Sequence, residues 1–295
     1  MPYLILVSLL WAFSFGLTKG ITAGLDGTLV AAIRLGLALL VFLPFLRLRG
    51  LSVRTGFTLA GIGAIQFGCM YLAYNESFRF LPAYQVALFS VTTPILVTLF
   101  ADAFDRILRP RALFAALLAV LGTAVIIFQP AATATSWHGF ILVQISNLTF
   151  ALGQVLYRRC RSQLIGQSDH EIFALLYAGA FVVTATVALS QGHFQGTPSP
   201  QQWRVLIYLG LVASGLGFFL LNLGATRVSA GTLAVMNNAK IPLAVVCSLL
   251  FFGESADPVR LALSLLLLGA SVWLAEKSTP ACPRTAPSAD VNPAK

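Results

Sequence analysis

The residues best suited to bind a charged ligand stand together near the C-terminal end of the chain. Lys240 closely follows Asn237 and Asn238, inside a run of residues that is otherwise almost wholly apolar. A buried ammonium group is costly unless an anion pairs with it. No Asp or Glu lies at a similar depth in any apolar run, so an anionic ligand is the expected partner of Lys240. The alternative is that its flexible stem carries the charge to a polar boundary, or that burial keeps it neutral.

Two stripes of polar and aromatic residues recur at positions i, i+3, i+7 and i+10 of two other apolar runs. Their members are Ser8, Trp11, Phe15 and Thr18 in the first run and Gln144, Asn147, Ala151 and Gln154 in the second. These positions share one face of a helix, so both stripes would face a common central cavity. Plain hydrogen bonding between packed helices is the alternative.

Arg34 and Tyr71 complete the set of candidate binding residues. Arg34 lies about six residues, or roughly 9 Å, inside its apolar run. It is a second candidate partner for an anion, although its long side chain would also reach the boundary of the run. Tyr71, like Trp11, offers a ring that would cover an apolar part of a ligand.

Membrane-spanning helices must position these side chains. Of the 295 residues, 58% are hydrophobic and 10% are charged, whereas a soluble domain carries roughly 25% charged residues. Apolar runs long enough to cross a bilayer recur along the whole chain. We predict ten spans, at 3–22, 29–46, 56–78, 82–101, 111–128, 139–157, 171–190, 203–226, 229–252 and 259–275. No Walker A sequence, HExxH sequence or pair of intramembrane aspartates occurs, which argues against an ATPase and against an intramembrane enzyme.

The net charge of +9 is distributed in a way that predicts orientation. Arg and Lys concentrate between spans two and three, four and five, and six and seven, and after the last span. Residues 129–138 and 191–202 contain none. By the positive-inside rule, both termini are cytoplasmic. The charge therefore indicates topology and not a nucleic-acid partner.

The chain contains an internal repeat. A shift of 148 positions superposes matching residues, which are Leu72 and Leu220, Arg79 and Arg227, Pro94 and Pro242, Val97 and Val245, and Phe104 and Phe252. Each half holds five predicted spans, and five is odd, so the second copy enters the membrane from the opposite face. We predict an all-α membrane protein with inverted five-helix repeats at 1–135 and 136–276, followed by a disordered cytoplasmic tail at 277–295. Inverted repeats are typical of alternating-access transporters.

Several stretches resemble a known family. They are LLWAFSF (9–15), FLPFLRLRG (42–50), ILVQISNLTFALG (141–153) and VASGLGFFLLNLGATRVSAGTLAVMNN (212–238). Together with ten short spans and the paired prolines Pro94 and Pro242, they resemble the EamA-type drug/metabolite transporter superfamily. Within that superfamily the chain is most similar to the bacterial biotin-transporter branch. The resemblance covers almost the whole chain to about residue 277.

The resemblance implies a secondary transporter that takes up biotin or a similar carboxylate-bearing metabolite. Lys240 or Arg34 would pair the carboxylate. The side-chain amides would meet the ureido edge, since an amide both donates and accepts; they belong to Gln144, Asn147, Asn237 and Asn238. Export of amino acids or related metabolites is the alternative, ahead of a non-transporting sensor or an intramembrane enzyme. We expect no cofactor or metal, lipid as the surrounding medium, and a monomer or homodimer.

The predicted topology has a direct test. Reporter fusions placed in 129–138 and after residue 295 should report opposite faces of the membrane, because an odd number of spans separates them. Fusions that report the same face would contradict both the span count and the inverted repeat.

Overall fold

A computed structural model describes residues 1–21, 25–81, 83–127, 136–164, 166–192, 198–251 and 257–277. All regular secondary structure in this part of the chain is helical, as the sequence predicts. The α-helices are α1 (Pro2–Ile21), α2 (Gly27–Phe42), α3 (Val53–Gly63), α4 (Met70–Ser77), α5 (Ala83–Ser90), α6 (Thr93–Asp105), α7 (Pro110–Ile127), α8 (Trp137–Ser162), α9 (Asp169–Gln191), α10 (Pro200–Tyr208), α11 (Gly217–Ala225), α12 (Ala230–Met236), α13 (Lys240–Phe251) and α14 (Pro258–Lys277).

Seven helical segments of the described chain are long and apolar enough to cross a membrane. They are Gly27–Phe45, Val53–Ser77, Gln85–Asp105, Trp137–Ser162, Asp169–Gln191, Pro200–Ala225 and Pro258–Lys277. Each overlaps one predicted span. Shorter apolar helices, Pro2–Ala12 and Pro110–Val125, overlap the first and fifth predicted spans, and α12 with α13 overlaps the ninth. The chain is therefore a multi-pass helical membrane protein.

Serine side chains start several of these helices. The hydroxyl at each cap accepts a hydrogen bond from an N–H group in the first turn, which has no partner within the helix. The capping residues are Ser52 for α3, Ser136 for α8, Ser199 for α10 and Ser229 for α12.

Two spans contain a π-helical segment in their middle. Segment π1 (Ala64–Cys69) joins α3 to α4, and segment π2 (Leu209–Leu216) joins α10 to α11. A π-helical turn shifts the backbone ladder and leaves carbonyl groups open to side-chain donors. In π2, Trp11 Nε1 donates to the Ala213 carbonyl at 2.8 Å, and the Tyr177 hydroxyl lies 2.8 Å from the Ser214 carbonyl oxygen. The segment is thus bonded to both α1 and α9.

Two other spans are broken just before a proline. Between α5 and α6 the break precedes Pro94, and between α12 and α13 it precedes Pro242. Proline lacks an N–H group and crowds the carbonyl four residues earlier. The two breaks touch, because Asn238 Nδ2 donates to the Val91 carbonyl at 2.9 Å. The same amide nitrogen also donates to Thr123 on α7 at 3.0 Å.

Close packing of α3 against α9 depends on two glycines. A Cβ atom on Gly63 would overlap the Leu176 carbonyl oxygen, and one on Gly179 would overlap the Ala60 carbonyl oxygen. Small residues let two backbones approach in this way inside a membrane. Gly61, on the same helix α3, is exposed and has open space around it.

We expect Gly63→Ala to destabilise the protein and Gly61→Ala to leave its stability nearly unchanged. The first substitution drives a methyl group into backbone, and overpacking of this kind typically costs about 1–3 kcal/mol. Thermal unfolding of the purified protein in detergent measures both variants. Equal midpoints for the two variants would contradict the close contact between α3 and α9.

Candidate binding site

An aromatic cluster lies where helices from both halves of the chain meet. Phe218 on α11 is its centre, with its ring 5.5 Å from that of Trp11 and 6.3 Å from that of Phe150. Phe67 in π1 stacks on Phe218 at 4.4 Å, and Tyr71 on α4 meets its edge at 5.7 Å. The cluster therefore draws on α1, α4, α8, α11 and π1, and the side chains of Phe67, Tyr71, Phe150 and Phe218 are buried.

Lys240 lies against one side of this cluster. Its Nζ is 4.9 Å from the centre of the Trp11 ring and 5.9 Å from that of Phe150. No carboxylate of the described residues lies within 4.0 Å of it. Cation–π contacts contribute about 0.5–2 kcal/mol, which is less than the several kcal/mol that burying an ammonium group costs. The lysine is thus held in place while its charge still lacks an anion.

Arg34 lies against a different ring of the cluster, that of Tyr71. Its guanidinium carbon is 4.7 Å from the centre of the Tyr71 ring, and its Nε donates to Ser214 Oγ at 3.0 Å. The Tyr71 hydroxyl is 3.1 Å from the same Ser214 oxygen. Within the described part of the chain, Arg34 also has no carboxylate within ion-pair distance. Its planar fork suits an oxygen acceptor.

The two cations and the rings form one continuous arrangement. Ring contacts connect Arg34 through Tyr71, Phe218 and Trp11 to Lys240. A ligand that fits it would have a flat apolar body, an anionic group and a second polar group. Sites of this composition, mostly apolar with a few placed polar groups, are typical of small-molecule binding.

Gln144 and Asn147 bond a helix break instead of the aromatic cluster. Asn147 Nδ2 donates to the Phe89 carbonyl at 2.9 Å and to Thr92 Oγ1 at 3.0 Å. Gln144 Nε2 donates to the same carbonyl at 3.2 Å, and its oxygen accepts from Thr92 at 2.9 Å. In this conformation both amides stabilise the break between α5 and α6.

Other polar side chains, within and beside the stripes, also bond within the protein. Asn237 and Gln154 exchange two hydrogen bonds of 3.0 Å, and both side chains are buried. Gln66 and Asn222 form a second such pair, at 2.9 and 3.2 Å. Ser8 donates to the carbonyl of Leu4 in its own helix. The side chains of Phe15 and Thr18 lie outside the described residues. The conformation therefore matches the hydrogen-bonding alternative for these amides.

Sequence reasoning missed Phe150, Phe218 and Ser214. Phe150 and Phe218 lie among many phenylalanines that carry no polar signal, and Ser214 faces Arg34 only because π2 changes the register of its helix. A π-helical segment has no simple sequence pattern. The internal repeat offered one signal for Ser214, since a shift of 148 positions superposes the polar residue Gln66 on it.

Comparison with known proteins identifies the family. The model of the EamA-like transporter family matches residues 1–128 and 137–275. The chain belongs to this family. This membership confirms the predictions of a transporter and of a protein that is not an enzyme.

Curated relatives and one solved structure extend the comparison. A biotin transporter of Escherichia coli K12 is 39% identical over 98% of this chain and 97% of its own. A probable biotin transporter of Pseudomonas aeruginosa is 42% identical over 93% of this chain and 96% of its own. A crystal structure with 18% identity covers 92% of this chain and 94% of its own, with a TM-score of 0.76. That last likeness concerns the fold alone.

The Gln154–Asn237 pair gives a test of structural against binding roles. Asn237→Leu should lower stability by about 1–3 kcal/mol, because it leaves the buried amide of Gln154 without a partner. The double variant Gln154→Leu/Asn237→Leu should recover most of that loss, since no polar group is then unpaired. Thermal unfolding measures both variants. A double variant as unstable as the single one would contradict a mainly pairwise structural role.

Proposed function

We propose that this protein imports biotin across the bacterial cytoplasmic membrane by alternating access. The observation that carries the proposal is the aromatic cluster flanked by Lys240 and Arg34, two cations without a carboxylate partner in the described chain. The two reported relatives, named a biotin transporter and a probable biotin transporter, support the choice of substrate. A related carboxylate-bearing metabolite would satisfy the same geometry.

Biotin matches the site group by group. Its carboxylate would pair with Lys240, and its fused rings would lie on Trp11 and Phe218. Its ureido group both donates and accepts, so its oxygen would accept from Arg34 and its N–H groups would meet the hydroxyl of Tyr71. The amides first expected at the ureido edge bond other helices here, and in this proposal they position the site.

The proposed architecture is ten spans in two inverted five-helix repeats, 1–135 and 136–276. The ranges matched by the family model divide near the same point. Among the described residues, each half has one π-helical segment, in its third predicted span, and one helix broken before a proline, in its fourth. The packing is also reciprocal, because π1 with α3 contacts α9 while π2 with α10 contacts α2. Residues 277–295 would form the cytoplasmic tail.

This architecture suggests how access would alternate. The two broken helices touch through Asn238 and the Val91 carbonyl, so a tilt of one repeat changes the position of the break in the other. The candidate cations lie at such irregular segments, since Lys240 begins α13 after one helix break and Arg34 contacts π2. Rocking of one repeat against the other around a fixed midplane site is the general mechanism of such folds.

Uptake of labelled biotin tests the function. Cells that lack their own biotin importer and express this protein should accumulate biotin saturably. Adding an uncoupler determines whether the proton-motive force drives uptake. An exporter would instead lower the cellular label, and a sensor would bind biotin without accumulation. Excess amino acids that abolish uptake would favour the amino-acid alternative.

In the same assay, we expect Lys240→Gln to weaken recognition of biotin but not of its neutral amide. A lost charge-assisted hydrogen bond corresponds to roughly ten- to a hundredfold in affinity. Competition of unlabelled biotin and biotinamide against labelled biotin measures the two affinities. Lys240→Arg should restore recognition only in part, because a planar fork differs in geometry from an ammonium group.

Two companion variants make the result specific. Arg54→Gln removes a charge at the exposed start of α3, away from the cluster, and should change neither affinity. Arg34→Gln should weaken recognition of biotin and its amide alike, since the ureido group is common to both. If Arg34→Gln alone shows the loss specific to the acid, the carboxylate binds at Arg34 and the proposed orientation of biotin is wrong.

A further inference from the structure

A cavity lies away from the aromatic cluster, where α6 and α8 end and α12 begins. Its volume is about 420 Å³, within the roughly 300–1,000 Å³ of small-molecule sites. Its lining includes three arginines, Arg109, Arg158 and Arg159, and apolar side chains such as Val97, Val155 and Leu233. By the positive-inside prediction this end faces the cytoplasm.

Most charges in this cavity are already paired. Arg109 donates to Asp102 at 2.8 Å and to Asp105 at 2.6 Å, and Arg159 donates to Asp105 at 2.7 Å. Burial lowers the pKa of Arg109, but its hydrogen bonds to Asp105 and Asp102 outweigh this, so the pKa is raised overall. Two carboxylates therefore form ion pairs with two arginines, and Asp105 attracts the third arginine only from beyond ion-pair distance.

Arg158 is that third arginine. Its Nη1 is buried and has no hydrogen-bond partner in the described chain, and no carboxylate there lies within 4.0 Å of it. It also borders an adjoining cavity of about 480 Å³, which Arg161 lines as well. Arg161 is itself engaged, since it bonds Asp169 and the carbonyl groups of Leu164 and Gln167. A buried guanidinium N–H without an acceptor is costly, so an anion is the expected occupant.

We propose that this cavity is a second binding site for an aliphatic monocarboxylate, with Arg158 as the partner of the carboxylate. One uncommitted positive charge matches one negative charge, whereas a phosphate dianion would leave an excess of negative charge. The apolar side chains of Val97, Val155 and Leu233, which also line the cavity, would cover an alkyl chain. The proposal rests on the proposed function, because the valerate chain of biotin has this chemistry.

The position of the cavity assigns it a place on the transport route. Val155 and Leu233 line the cavity, and next to them Gln154 and Asn237 form their reciprocal pair. The Leu233 carbonyl also accepts from Asn237 Nδ2 at 3.1 Å. Lys240 begins the next helix beyond this pair. The second site would thus hold the carboxylate between the central site and the cytoplasm.

Thiol protection tests the second site directly. Ser162 lines both cavities, so Ser162→Cys serves as a reporter once the native cysteines are replaced by serine; these are Cys69, Cys160, Cys247 and Cys282. The alkylation rate by a neutral maleimide is measured on the purified full chain in detergent. Biotin and heptanoate should slow alkylation, and biotinamide should not. Arg158→Gln should weaken this protection roughly ten- to a hundredfold, whereas Arg54→Gln should leave it unchanged.

Further ligands and variants in the same assay distinguish the possible anions, and comparison with biotin uptake separates the second site from the aromatic cluster. Inorganic phosphate or phosphatidylglycerol protecting as well as heptanoate would overturn the assignment to a monocarboxylate. Protection that survives Arg158→Gln, or no protection at all, would overturn the site. Arg158→Lys keeps the charge and should retain part of the protection, which separates binding from a folding defect. If biotin uptake is normal but no ligand slows the alkylation, the second site is contradicted and the proposed function is not. If heptanoate slows the alkylation but the cells take up no biotin, the proposed function is contradicted and the second site is not.

Discussion

The constraint on which this structure depends is that every backbone polar group inside a membrane needs a partner from the protein. Two helix breaks and two π-helical segments release such groups at mid-span. Side chains from other helices bond several of them, since Asn147 bonds the Phe89 carbonyl, Asn238 bonds the Val91 carbonyl, and Trp11 and Tyr177 bond carbonyls of π2. The irregular backbone and the polar stripes are therefore two parts of one arrangement.

The same constraint explains which polar groups remain for a ligand. An amide satisfied by a carbonyl or by another amide is stabilising, whereas a cation beside aromatic rings alone is not fully compensated. Lys240 belongs to the second group, and Arg34 adds to its ring contact only a hydrogen bond to the neutral hydroxyl of Ser214. Trp11 both bonds the backbone and contributes to the proposed site. Its Nε1 donates to the Ala213 carbonyl, and its ring contacts Lys240 and Phe218. Hydrogen bonds within the protein, which involve no ligand, thus hold the residues of the proposed site in position.

Near the predicted cytoplasmic end, the charged side chains likewise fall into a paired group and an unpaired one. Asp102 and Asp105 form ion pairs with Arg109 and Arg159, and the pair between Arg159 and Asp105 joins α8 to α6. Arg158 stays uncommitted beside them. An anionic substrate would meet an unpaired cation at the proposed second site and again at the central site. The buried pair of Gln154 and Asn237 lies between the two along both helices.

The class of the protein and most of its spans could be predicted from the sequence, because apolar run length is a local property. Lys240 and Arg34 could be singled out for a similar reason, since each is a charge inside an apolar run, and the family followed from short stretches of sequence. The bonding partners of the polar residues, in contrast, became visible only in the tertiary structure. Gln144, Asn147 and Asn238 have the residue types of a ligand site, yet they bond helix breaks that come next to them only on folding. Phe218 and Ser214 join the site because π2 turns them toward α1 and α2. Such a change of register depends on packing between distant helices, so no local pattern of residues encodes it.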